Sequence, residues 1–121
     1  MPSTYEEVWV LPFKSQEFMH GPELRQTVAE LRLRMDHERE DGAYEWSALV
    51  FGGVHAYKFT GYESCSRDQV RAYDRLVRVH TSEWLTILAT AESELIHFRI
   101  YFDEFGCYDI AATGVEVREE D

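Results

Sequence analysis

An alternating run near the end of the chain constrains the fold more than any other feature. From Ile96 to Asp103 apolar and polar residues alternate strictly, and a second strand-like run begins at Gly106 after a short turn. Alternation with a period of two places the apolar residues on one face of a strand and the polar residues on the other. The segments 95–102 and 107–112 are therefore predicted to form an antiparallel hairpin with one face in the core.

The polar face of this hairpin supplies the main candidate site. It carries four side chains of different chemistry, His97, Arg99, Tyr101 and Asp103. An imidazole between an arginine and a carboxylate suits acid–base chemistry or anion binding. Asp109, Lys58 and Glu63 join this set if neighbouring strands bring them alongside. The simpler interpretation is a sheet face in contact with water that carries cross-strand ion pairs.

The first two elements are predicted to be a strand and a long helix. Residues 5–11 are strand-like and end at Pro12, which lacks the N–H needed for further pairing. A helix is predicted from Gly21 to Gly42, because the proline after Gly21 suits a first helical position and glycine suits a helix end. The helix has an apolar stripe at helical spacing, formed by Leu24, Val28, Leu31 and Met35.

The middle of the chain predicts a second hairpin and two further helices. Residues 44–51 and 54–62 are strand-like and are separated by two glycines that favour a tight turn. Ser66 followed by Gln69 has the form of a capping box, which predicts the start of a second helix. That helix is expected to place four apolar residues on one face, Val70, Tyr73, Leu76 and Val77. A short third helix is predicted to start near Ser82.

These elements predict an α+β fold in a single domain over residues 1–121. The order β-α-ββ-α-ββ gives an antiparallel sheet of about five strands with two to three helices packed on one face. With 45% apolar residues, the chain can form one core without a disulfide or a metal. Residues 115–121 are expected to be a mobile acidic tail.

The charge of the chain limits its partners. Acidic residues outnumber basic ones 23 to 12, which gives a net charge of −11. A potential of this sign disfavours nucleic-acid binding, and it is compatible either with simple solubility or with docking of a basic protein. The start of the chain resembles no export signal and no apolar run is long enough to span a membrane, so a cytoplasmic location without membrane contact is expected.

The two cysteines, Cys65 and Cys107, are expected to be reduced thiols. Cys65 directly precedes a predicted helix N-cap, where the helix dipole would lower its pKa and make it a possible reactive thiol, although burial as a small apolar residue is the simpler interpretation. The sequence leaves open whether the two thiols are adjacent. Together with His55 and His97 they would offer zinc ligands, but the spacing matches no short ligand pair, so neither a metal nor a cofactor is expected.

Several segments together resemble a small family of uncharacterised bacterial proteins. The segments are 54–60 (VHAYKFT), Cys65, 72–77 (AYDRLV), 82–85 (SEWL), 97–103 (HFRIYFD) and 106–108 (GCY). The resemblance covers roughly residues 50 to 112 and implies no activity. In size, charge and layout the chain also resembles the immunity proteins of bacterial toxin systems.

Three functional hypotheses follow. The leading one is a non-enzymatic protein-binding domain with an acidic, aromatic-bearing surface, such as an immunity-type inhibitor of a basic toxin, because negative charge steers association with a basic partner and tyrosine and tryptophan are enriched at interfaces. The alternative is a small enzyme or ligand-binding domain that uses the polar sheet face, with Cys65 as the nucleophile. The third is self-association through a sheet face or edge.

Overall fold

The chain forms two antiparallel β-sheets, and the computed structural model describes residues 4–88 and 94–120. The strands are β1 (Thr4–Val10), β2 (Glu23–Gln26), β3 (Glu30–Glu38), β4 (Tyr44–Gly52), β5 (Ala56–Gly61), β6 (Arg75–His80), β7 (Ile96–Phe102), β8 (Gly106–Ala112) and β9 (Gly114–Glu120). The helices are α1 (Arg67–Val70) and α2 (Glu83–Leu88), and short 3₁₀ turns occupy Ser15–Glu17 and Tyr62–Ser64. One sheet has the strand order β1-β6-β7-β8-β5, and the other has the order β2-β3-β4-β9.

A single apolar cluster joins the two sheets. The five-stranded sheet contributes Leu76, Phe98, Ile100, Phe102 and Ile110, all of them buried. The four-stranded sheet contributes Leu31, Leu33, Met35, Leu49 and Phe51, which are fully buried. Because side chains alternate across a strand, the opposite face of each sheet is left for other residues. The candidate site lies on that outer face of the five-stranded sheet.

The predicted α+β fold with two to three helices on one face is wrong, because most of the chain is antiparallel strand in two sheets. The predicted helix from Gly21 to Gly42 is replaced by β2 and β3. Its apolar stripe is misleading, since Val28 is fully exposed. The sequence Leu31 to Met35 alternates instead between buried apolar residues and arginines, which is the strand pattern.

The second predicted helix ends after one turn. The capping box of Ser66 and Gln69 is confirmed, with both reciprocal hydrogen bonds present. Asp74 then takes a left-handed conformation with φ of 52°, and the following residues turn into β6. This strand pairs with β1 on one side and β7 on the other, so tertiary pairing overrides the helical spacing of Leu76 and Val77.

The second predicted hairpin does not form, although both of its strands do. β4 pairs with β3 and β9 in the four-stranded sheet, whereas β5 pairs with β8 in the five-stranded sheet. The glycines between them therefore lie in a crossover from one sheet to the other. Gly53 has φ of 60°, and a Cβ there would lie 2.2 Å from the Thr113 hydroxyl, so this crossover requires glycine.

Three predicted elements are present. The first strand appears as β1, and a short helix follows Ser82 as α2. The last hairpin is formed by β7 and β8, with Phe98 opposite Ile110 and with Phe98, Ile100 and Phe102 buried. The predicted acidic tail is instead strand β9 through Glu120, paired along its length with β4. No helix of the described residues is long and apolar enough to cross a membrane.

Replacing Phe98 with alanine should lower the free energy of unfolding by ~3–5 kcal/mol, because the core cannot fully close the space left behind. The Phe98 side chain is 3% exposed between the sheets. Phe59→Ala is the control, because this phenylalanine is 52% exposed on the edge strand β5 and should cost less than half as much. Denaturant unfolding measures both losses, and a loss below about 1 kcal/mol for Phe98→Ala would contradict the core assignment.

Candidate functional site

The outer face of the five-stranded sheet buries a cluster of charged side chains. The cluster centres on the middle strand, β7, and its neighbour β8. Their register places Arg99 directly opposite Asp109, and β5 places Lys58 opposite Asp109 from the other side. Helices α1 and α2 and the edge strand β1 bring further residues to this face, and His97, Arg99 and Asp109 are buried there.

Asp109 is the acceptor at the centre of the cluster. Its carboxylate is fully buried and accepts hydrogen bonds from His97 Nε2 at 2.5 Å and from Arg99 Nε at 2.6 Å, both at Oδ1. Gln69 Nε2, from helix α1, donates to Oδ2 at 3.3 Å. A buried carboxylate is stable only when it is paired and hydrogen-bonded in this way.

Arg99 ties the first strand and helix α1 to the cluster. Its Nη1 donates to the Tyr5 hydroxyl at 2.8 Å and to Asp68 Oδ2 at 3.2 Å. The Tyr5 hydroxyl in turn donates to the backbone carbonyl of Asp68. The arginine side chain is 10% exposed, so these contacts and Asp109 replace most of its hydration.

The charge states of the cluster follow from this geometry. Burial by itself would raise the pKa of Asp109, but the hydrogen bond from His97 and the charge of Arg99 outweigh burial and hold that pKa at about 2. Burial would lower the pKa of Arg99, but the charge of Asp109 outweighs it, so the guanidinium stays protonated. Burial lowers the pKa of His97, and Arg99 and Lys58 reinforce this shift against the opposing effect of Asp109.

His97 links Asp109 to Ser82, the serine directly before helix α2. The ionised Asp109 can only accept, so Nε2 of His97 carries the proton and Nδ1 of the neutral ring is an acceptor. Ser82 Oγ lies 2.7 Å from that Nδ1 and therefore donates its hydroxyl proton to it. The backbone N–H of Leu85 donates to the same Oγ at 3.2 Å, so Ser82 also caps helix α2.

A cavity of about 540 Å³ opens above this chain of hydrogen bonds. Charged, hydroxyl and apolar side chains line it: Lys58, Asp68, Val79, Thr81, Ser82, Glu83, Trp84, Ile87, His97 and Arg99. The Lys58 ammonium lies 4.9 Å from the centre of the Trp84 ring, and that ring meets the His97 imidazole edge-on at 4.9 Å. Polar groups and an aromatic wall thus converge on one space.

The structure brings together only part of the predicted polar face. His97, Arg99 and Asp109 form the cluster, whereas Tyr101 packs in a neighbouring apolar cluster with Cys107. Asp103 follows the end of β7 and accepts a hydrogen bond from the Gln16 side chain, away from the cavity. The interpretation of this face as water-exposed is wrong, because His97, Arg99 and Tyr101 are all buried.

Of the two remaining residues that the sequence offered for this face, one lies at the cavity and the other does not. Lys58 joins the site as anticipated, whereas Glu63 lies in an exposed turn and does not line the cavity. Sequence reasoning missed Ser82, Tyr5 and Gln69 as site residues. The only signal for Ser82 was its position as a helix cap, because its contact with His97 joins residues 15 positions apart.

The two cysteines lie at the same apolar cluster of the described residues. Cys107 is buried and Cys65 packs against the same apolar cluster, and both are free thiols. Burial raises the pKa of both thiols above their ordinary value, which favours the simpler interpretation of Cys65 as a packed thiol over a thiolate stabilised by the helix. The Cys65 thiol instead lies near the carbonyls of Thr60 and Gly61.

Comparison of the chain with family models, curated proteins and solved structures finds no match. The resemblances noted from the sequence therefore stay predictions, and the site is interpreted from its geometry alone. Within residues 4–88 and 94–120, no three His, Cys, Asp or Glu side chains are grouped as metal ligands would be.

The free energy of unfolding should fall as the pH drops below about 6.5, because folding disfavours protonation of His97. Its pKa lies below the unfolded value of 6.5, so the unfolded chain binds this proton first. One such proton gives a slope of up to ~1.4 kcal/mol per pH unit, which disappears once the folded state is protonated as well. Asp109 adds stability that is present above pH 3.8 and is lost as the pH falls towards about 2.

Denaturant unfolding at a series of pH values tests this expectation. His97→Gln should flatten the slope just below pH 6.5, the ordinary pKa of the histidine. His55→Gln, at an exposed position, controls for the loss of a histidine as such and should keep the wild-type slope. Equal slopes in the wild type and in His97→Gln would show that the buried imidazole is not the titrating group.

Proposed function

We propose that the cavity above His97 and Arg99 binds a small anionic molecule. The observation that carries this proposal is the pair of cations, Lys58 and Arg99, on either side of Asp109. Asp109 is already neutralised by Arg99, and Lys58 forms no ion pair with another residue of the described chain. An ammonium that lies beside an aromatic ring and has no counter-ion among the described residues favours a carboxylate or phosphate ligand.

The acidic residues at the cavity do not cancel this preference. Asp68 is paired with Arg71 at 2.7 Å and with Arg99 at 3.2 Å. Glu83 lies at an exposed position at the start of helix α2. Lys58 is likewise exposed and lines the cavity, so its positive charge is available to a ligand there, although the chain as a whole is acidic.

The apolar part of the lining indicates a ligand with an apolar or aromatic body. Val79, Trp84 and Ile87 line the same space as the cations. The cavity volume of about 540 Å³ lies within the range of ~300–1,000 Å³ that is usual for small-molecule sites. A small aromatic carboxylate or phosphate satisfies both the charge and the apolar surface.

Calorimetric titration with benzoate and phenyl phosphate tests the proposal. Both should bind, whereas benzyl alcohol, which has a similar shape and no charge, should bind at least about tenfold more weakly. Lys58→Gln should weaken binding of the anions by a similar factor. The chain has one other lysine, Lys14, which is exposed and outside the cavity, so Lys14→Gln is a matched control that should bind like the wild type. Equal binding of the neutral compound, or equal effects of the two variants, would contradict an anion site.

A second candidate function is the docking of a basic protein, and the edge of the five-stranded sheet favours it. Strand β5 is the last strand of that sheet, and it presents exposed aromatic side chains, Tyr57 at 41% and Phe59 at 52%, followed by Tyr62 at 47%. Together with the net charge of −11, this edge suits a basic partner in the cytoplasm, such as a toxin held by an immunity-type inhibitor.

Capture from a host lysate at low and high salt tests this second function. A basic protein should be retained at low salt and released near 1 M salt, because the Debye length falls from ~30 Å at 0.01 M to ~3 Å at 1 M. The double variant Tyr57→Ser and Phe59→Ser should lose it, whereas Tyr44→Ser, an exposed tyrosine on the other sheet, should retain it. Retention that is insensitive to salt and to the double variant would rule out docking at this edge.

A further inference from the structure

We propose that Ser82 is a nucleophile and that the cavity hydrolyses small carboxylic esters that carry a negative charge. The inference rests on the proposed function for its substrate class, because Lys58 would hold the charged group. The nucleophile is indicated by the contacts that join Ser82, His97 and Asp109. Ser82 directly precedes helix α2, and the other two side chains come from the neighbouring strands β7 and β8.

The chain of hydrogen bonds prepares the Ser82 hydroxyl for attack. Its proton is directed at His97 Nδ1 at 2.7 Å, and the opposite ring nitrogen donates to Asp109 at 2.5 Å. A serine, a base and a carboxylate that orients the base are the parts required for nucleophilic acyl transfer. The backbone N–H of Leu85 uses one lone pair of the serine oxygen, and the other remains for attack on a substrate in the cavity.

The backbone of Thr81, the residue directly before Ser82, is strained. Thr81 has φ of 53°, a left-handed conformation that is uncommon for a β-branched residue. Such residues persist where the surrounding structure fixes them, and they cluster at functional sites. Here the strained residue directly precedes the serine and lines the same cavity, so it sets the position of Ser82 relative to His97.

The charged groups that face His97 keep it neutral at rest and able to accept a proton. They are Asp109 from β8, Arg99 from β7 and Lys58 from β5. Burial and the two cations disfavour the imidazolium, whereas Asp109 stabilises it once it forms. This balance suits a base that is free at neutral pH and that is protonated only during the reaction.

A suitable substrate is 4-acetoxybenzoate, an ester whose carboxylate would pair with Lys58. Ser82 Oγ forms a bond to the acetyl carbon and gives its proton to His97 Nδ1. The bond from that carbon to the aryl oxygen breaks, and the aryl oxygen takes the proton from Nδ1, which releases 4-hydroxybenzoate. Water then adds to the acetyl-serine and gives its proton to Nδ1. The bond from that carbon to Oγ breaks, Oγ takes the proton from Nδ1, and acetic acid leaves and gives its own proton to water.

A fluorophosphonate probe followed by peptide mapping tests the nucleophile. The probe should label Ser82 with loss of fluoride, and labelling should fall at least about a hundredfold in Ser82→Ala and in His97→Gln, since a positioned base contributes ~10²–10⁴-fold. Ser66→Ala is the matched control, because Ser66 is the N-cap of helix α1 and does not line the cavity. Absence of labelling at Ser82 in the wild type would overturn the proposal.

Two readouts separate a nucleophile from a serine that only caps its helix. The labelling rate of the wild type should fall as the pH is lowered, because His97 becomes protonated. This measurement needs no variant. A rate that does not change between pH 8 and the lowest pH at which the chain stays folded would overturn the role of His97.

The second readout is release of 4-hydroxybenzoate from 4-acetoxybenzoate, which should exceed release of phenol from phenyl acetate. Lys58→Gln should raise KM for the anionic ester more than for the neutral one, and equal effects on both would overturn the anionic substrate class.

The results distinguish this inference from the proposed function on which it rests. Binding of benzoate without labelling of Ser82 would overturn the nucleophile and leave the anion site in place. Labelling of Ser82 without binding of benzoate would support the nucleophile and overturn both the anion site and the anionic substrate class.

Discussion

The paired burial of Arg99 and Asp109 is the interaction on which the outer face of the molecule depends. Two opposite charges removed from water are stable only if each keeps a partner, and removal of one partner of such a pair typically costs ~3–5 kcal/mol. The remaining donors around them are therefore structural requirements as well as site residues. Tyr5, Gln69 and His97 complete the hydrogen bonding, and each comes from a different element.

This requirement explains why two short helices, α1 and α2, contact one face of the five-stranded sheet in the described part of the chain. Helix α1 has a single turn, yet its Gln69 and the neighbouring Asp68 both contact the buried pair. Helix α2 brings Ser82 to His97 and Trp84 to Lys58. Neither helix is long enough to be stable alone, so both are held by contacts with the sheet. The cavity is the space left between helix α2 and the charged strands.

In the four-stranded sheet the paired charges are partly exposed and not buried. On its outer face Arg32 and Arg34 both pair with Glu120, and Arg34 also lies over the Trp46 ring at 4.2 Å. These side chains are partly exposed, so their pairing contributes little compared with the buried cluster. They do help to explain why the acidic end of the chain is a strand. The carboxylate of Glu120, which has no evident partner in the sequence, pairs with the two arginines of β3.

The sequence by itself determined the hairpin of β7 and β8, the first strand, the cap at Ser66 and the short helix after Ser82. All of these depend on alternation or on hydrogen bonds between residues close in sequence. It also supplied His97, Arg99 and Asp109 as candidate residues, and the pairing of β7 with β8 then placed Arg99 opposite Asp109. Only the tertiary structure decided that Leu31 to Met35 is a strand, since apolar spacing fits two periods until a partner strand is present. It also decided that the polar face is buried and that Ser82 meets His97, because these contacts join elements whose packing no local pattern encodes.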